Sequence, residues 1–151
     1  MLLRVLSDIH GNLAALKAVL EDSSGVNADT TICLGDIVGY GSHPVECINI
    51  VRKISDQVVA GNHDLGAAGL ISISHFNTDG QAAIEWTRRQ LSLPQTEWIK
   101  SLPIQSSYHG ISISHSSIQN PSSWIYILNS STALEAANRR IAESRPHRQP
   151  Y

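Results

Sequence analysis

Cysteine is scarce in this chain: Cys33 and Cys47 are the two present among 151 residues. A disulfide scaffold is therefore not what holds it together. Cys33 lies in an apolar run and Cys47 in an expected helix, so both read as small buried hydrophobes. Neither sign of charge dominates, with Lys+Arg 11 against Asp+Glu 13 and a formal net charge of -2. A nucleic-acid reader usually shows a basic face, and nucleic acid is not an expected partner here. No apolar run approaches the ~20 residues of a membrane span, so no membrane partner is expected either. The opening Met1 to Leu6, interrupted at Arg4, is too short for a signal peptide, which leaves a cytoplasmic location as the default expectation. Trp86, Trp98 and Trp124 are spaced too irregularly for a nucleic-acid stacking platform and are assigned to packing.

What is present is an ordinary globular composition, 42% apolar and 16% charged. The length fits one domain, expected over 1–143, with an irregular tail at 144–151 that carries Pro146 and Pro150. Leu2 to Leu6 reads as a buried strand running into Ser7-Asp8-Ile9-His10-Gly11. Asn12 is placed to cap a helix whose Leu13, Leu16 and Leu20 share a face. Thr30 to Leu34 is a second strand, opening into Gly35-Asp36-Ile37-Val38-Gly39. Pro44 then suits the first position of a helix. Val58-Val59-Ala60 is a third strand, opening into Gly61-Asn62-His63-Asp64. Strand, polar loop and helix in repetition predict an α/β layer with the polar loops gathered at the carboxyl ends of the strands.

Beyond that point, 66–77 reads as a linker, and Asp79 to Leu91 and Pro94 to Leu102 as helices. Ile104 to Ser114 reads as a hairpin turning at His109-Gly110 and ending at His115. Ser123 to Leu128 is open between strand and helix. Thr132-Ala133-Leu134-Glu135 has the pattern of a capping box.

Four strand ends thus offer polar groups: Asp8 with His10, Asp36, Asn62 with His63, and His115. Carboxylate, imidazole and amide without thiolate suit Mn, Fe, Zn or similar ions. One carboxylate shared between two ions holds them about 3.5–4 Å apart, a spacing that activates water and clamps phosphoryl oxygens. Asp36 is the candidate for sharing, because Gly35 and Gly39 allow close backbone approach. If Asp8-Ile9-His10 stays extended, its two polar side chains aim the same way. Each piece alone also fits a cap, a turn or a structural histidine; the weight lies in their succession at strand ends.

Asp8-x-His10, Gly35-Asp36-x-x-Gly39 and Gly61-Asn62-His63-Asp64, in this order, resemble the calcineurin-like metallophosphoesterases. Around Tyr40 to Pro44, Phe76-Asn77 and Ala83 to Thr87 the chain looks like the small bacterial and archaeal single-domain branch. The resemblance implies layered β-sheets flanked by helices, here an incomplete version of that fold. It implies hydrolysis of phosphate mono- or diesters by a metal-activated water at a dinuclear site with two divalent metal ions. Asp8 and His10 would bind one ion, Asn62 and His115 the other, with Asp36 shared by both. His63 would face the phosphate ester substrate as a catalytic residue, with Asp64 orienting it.

Two departures qualify the resemblance. His115 is followed by Ser116, where family members carry glycine. The family's later Gly-His-x-His is not found in the sequence, and His147 is not expected to replace it. The Arg- and Pro-bearing stretch after Ala137 therefore reads as a shortened product or as text that has left its original frame. An alternative function follows: a non-catalytic metal- or phosphate-binding remnant acting through a partner surface. An exposed sheet edge is also expected to invite self-association.

Overall fold

The computed structural model describes residues 1–143; the expected tail at 144–151 and its His147 lie outside the described residues. Two compact units are present, Met1–His115 and a second beginning at Ser116.

In the first unit, β1 (Leu3–Leu6), β2 (Thr30–Cys33) and β3 (Gln57–Val58) form a parallel sheet in the order β1-β2-β3. Leu3 pairs with Thr30 and Ile32 with Gln57. The crossover helices are α1 (Leu13–Asp22) and α2 (Pro44–Ile54). Asn12 Oδ1 accepts the Ala15 N–H at 3.0 Å, the cap expected from the sequence, and Pro44 opens α2.

Every residue of β2 is buried, as a central strand requires. Alternation along it separates two cores. Cys33 belongs to the larger one with Leu16 of α1 and Cys47, Ile48 and Val51 of α2. Ile84 of α4 (Thr78–Gln90) and Ile99 of α5 (Leu93–Ser101) complete it. Ile32 belongs to the smaller one with Val59 and Ile113. Ile113 comes from the antiparallel hairpin of β4 (Gln105–Tyr108) and β5 (Ile111–Ser114). Thr30 Oγ1 and the Tyr108 hydroxyl, 2.8 Å apart, join sheet to hairpin. Helices thus pack on one side of the parallel sheet and a second sheet on the other, the expected layered α/β arrangement.

Four expectations shift. The third strand ends at Val58; beyond it Val59 N–H still donates to the Cys33 carbonyl at 3.0 Å, and Ala60 N–H donates to the Pro103 carbonyl at 2.8 Å. The linker expected from Gly66 is preceded by a short helix, α3 (Asn62–Ala67). In the second unit, a single 3-10 turn at Pro121–Ser123 precedes α6 (Ser130–Glu143), and 124–128 is neither strand nor helix. Asn129, not Thr132, caps α6: its Oδ1 accepts the Thr132 N–H at 2.9 Å.

Candidate metal centre

The parallel pairing continues past the end of β1 into the loops. Asp8 N–H donates to the Gly35 carbonyl at 3.1 Å, His10 N–H to Asp36 at 2.8 Å and Gly11 N–H to Ile37 at 2.8 Å. Asp8 and His10 are thereby carried alongside Asp36. The expected extended backbone is not what aims them: Asp8, His10 and Asp36 have φ of 54°, 49° and 50°. Left-handed conformation is uncommon for residues with a Cβ and clusters at functional sites. Gly35, at φ 95°, lets the third loop close in, since a Cβ there would stand 2.4 Å from Gly61 N.

Asp36 is 3% exposed, and its two oxygens have different work. Oδ1 accepts the His63 N–H at 2.9 Å. Oδ2 lies 3.6 Å from His10 Nε2 and 3.3 Å from His115 Nε2. Asp8 Oδ1 lies 3.8 Å from His10 Nε2. The other nitrogen of each imidazole faces a carbonyl: His10 Nδ1 faces Val38 at 3.2 Å, and His115 Nδ1 faces Leu34 at 2.9 Å. A carbonyl only accepts, so Nδ1 carries hydrogen and Nε2 is the nitrogen left for a cation. Burial by itself lowers the His115 pKa, but its hydrogen bond to Asp36, the Asp36 charge and the Leu34 carbonyl outweigh it and raise it to about 9.

His63 is buried, and burial lowers its pKa despite the nearby Asp36 carboxylate. Its ring centroid lies 4.7 Å from those of His10 and Tyr40 and 4.9 Å from that of Phe76. Gly39 makes room for it, since a Cβ there would sit 2.5 Å from His63 Nδ1. Sequence reading gave Tyr40 and Phe76 no part in the site. Their signal was slight, an aromatic directly after Gly39 and another before Asn77. Asn62 is half-buried at the first position of α3. Asp64 is fully buried; its oxygens accept N–H groups from Ile37 at 2.9 Å, Val38 at 3.1 Å and Gly61 at 3.0 Å. Burial, then the Asp36 charge, raise its pKa, and those three bonds oppose the rise.

Two sets of side chains could each hold a cation: Asp8, Asp36 and His115, and His10, Asp36 and His63, with donor atoms within 4.8 Å of one another in each set. Asp36 is common to both. Carboxylate oxygen with imidazole nitrogen fits divalent first-row ions.

The sequence pattern of the calcineurin-like phosphoesterase family matches residues 1–143. The chain belongs to that family. It is 39% identical over 130 residues to an uncharacterised protein of Methanocaldococcus jannaschii, covering 83% of this chain and 54% of that one. A metallophosphoesterase from Sphaerobacter thermophilus superposes with a TM-score of 0.76 at 36% identity, covering 90% of this chain and 55% of that one. A symmetrical bis(5'-nucleosyl)-tetraphosphatase of Haemophilus ducreyi is 29% identical over 121 residues, 76% of this chain and 44% of that one. The chain thus spans about half the length of these calcineurin-like relatives. No helix among the described residues is long and apolar enough to cross a membrane.

Proposed function

We propose that this chain hydrolyses phosphate mono- or diesters at a dinuclear metal site built around Asp36. The observation that carries the reading is the sharing of Asp36 between two sets of candidate donors. Asp8, His10, Asp36, Asn62 and His115 would hold the ions, and His63, the third donor of the set with His10 and Asp36, is assigned instead to the substrate. Bound divalent ions would lower the pKa of a water and offset charge on the phosphoryl oxygens. The protein's own part is positional: backbone carbonyls set the hydrogen on each imidazole, and the Asp36 carboxylate is fixed through Oδ1 so that Oδ2 faces inward. His63, buried beside the candidate donors, would hydrogen-bond a phosphoryl oxygen or, in its protonated form, protonate the leaving group.

A second reading is a metal- or phosphate-binding protein without turnover, acting through a partner surface. What favours it is that each set supplies three side-chain donors among the described residues, so an ion that takes six ligands would be held weakly. We also propose self-association through the outer edge of β1, where Val5 is 54% exposed.

Metal analysis of the purified chain, with hydrolysis of an aryl phosphate monoester, an aryl diester and a dinucleoside tetraphosphate in added Mn2+, tests the two readings. Turnover that requires Mn2+ supports the first. Mn2+ bound with no hydrolysis of any of the three supports the second.

A further inference from the structure

We propose that Asp64 is a positioning residue for the shared carboxylate of Asp36, and not an orienter of His63. The inference rests on the proposed role of Asp36 in metal binding.

Asp64 is 0% exposed and accepts hydrogen bonds from backbone alone. Oδ1 takes the N–H groups of Ile37 and Val38, the two residues that follow Asp36. Oδ2 takes that of Gly61, one residue before the α3 helix that carries His63. Asp36 returns the favour in kind, its Oδ1 accepting the His63 N–H at 2.9 Å. Each loop therefore sends a carboxylate into the backbone of the other. Meanwhile His63 Nδ1 is buried with no partner among the described residues, so it donates no hydrogen bond to Asp64.

The clasp meets a specific need. Asp36 sits at φ 50°, a left-handed conformation that surrounding structure must hold. Two successive N–H groups converging on one anionic oxygen hold the peptides directly after it. This fixes where the Asp36 side chain leaves the backbone and hence where Oδ2 points. The carboxylate is suited to the task because it accepts on both oxygens and donates from neither. An asparagine would turn an NH2 group against at least one backbone N–H.

The test uses the full chain, Asp64→Asn and a core control, Ile48→Val, whose fully buried side chain belongs to neither set of candidate donors. Two readouts are taken on folded samples: the Mn2+ dissociation constant by calorimetry, and the 15N signals of the His115 ring in ion-free protein. We expect D64N to weaken Mn2+ binding roughly tenfold or more, the effect typical of groups that orient a ligand. The His115 signals should move as its partner Asp36 shifts. I48V should lower the melting temperature while changing neither readout. Unchanged Mn2+ affinity and unchanged His115 signals in D64N would overturn the proposal. If the native chain takes up no Mn2+, the metal reading fails, and the ion-free His115 signals alone decide the role of Asp64. Should D64N not fold by circular dichroism, Asp64→Ser, which keeps one acceptor and leaves room for water, is read in the same way.

Discussion

Nε2 of His115 lies 3.3 Å from Oδ2 of Asp36, and Nδ1 of the same ring is anchored on the Leu34 carbonyl. His10 reaches the same carboxylate oxygen at 3.6 Å with its own Nδ1 on Val38. Two imidazoles from distant parts of the chain therefore converge on one oxygen atom, each locked by a carbonyl of the loop that carries it. His115→Ala should weaken Mn2+ binding by roughly tenfold or more while leaving the far-ultraviolet circular dichroism unchanged. Native-like Mn2+ affinity in this variant, measured by calorimetry, would remove His115 from the ligand set.

Gly61 gives a steric handle on the same carboxylate. A Cβ there would stand 2.0 Å from Asp36 Oδ1 and 2.5 Å from Asp36 N. Gly61→Ala should cost about 1–3 kcal/mol through overpacking, and a chain of this size loses about 2–4 °C in melting temperature per kcal/mol. Its Mn2+ affinity should fall as well, since the carboxylate has to move. A thermal melt and a binding isotherm equal to those of the native chain would show that the third loop does not brace Asp36.

The two thiols provide a probe of the core. Burial pushes Cys33 up to about 12 and Cys47 up to about 11, so neither holds appreciable thiolate at mildly alkaline pH. Ellman's reagent should leave the native protein unlabelled and titrate both thiols in guanidinium chloride. Fast labelling of either thiol without denaturant would contradict the packing of Cys33 in β2 or of Cys47 in α2.

At the outer edge of the parallel sheet, Val5→Lys should shift a self-associating sample toward monomer in sedimentation velocity, because a charge on an edge strand opposes pairing. A native chain that sediments as monomer at all accessible concentrations would exclude self-association through this edge.

The strands, their order of loops and the cap at Asn12 were legible because each rests on local pattern: apolar runs, glycine punctuation, a side chain reaching three residues on. So was the meeting of Asp8, His10, Asp36 and His115, which follows from parallel strands placing their carboxyl ends together. The backbone at Asp8 and His10 was not legible, since left-handed φ at these residues is imposed by hydrogen bonds to Gly35 and Asp36, far along the chain. The bonds of Asp64 were hidden for the same reason: a buried carboxylate finds backbone donors that only the folded loops bring near. Tyr40 and Phe76 around His63 depend on α4 packing behind α3, which no local period reveals. Thr132 looked like a cap, but Asn129 stands in the same relation to an N–H one turn earlier and takes the place.

The most direct measurement is the number of Mn2+ ions bound per chain in the native protein, in Asp36→Asn and in Asp8→Asn, at equal free metal and with folding verified. If one carboxylate serves two cations, the native chain binds two, D8N loses one and D36N loses both. Retention of either ion by D36N would contradict the account.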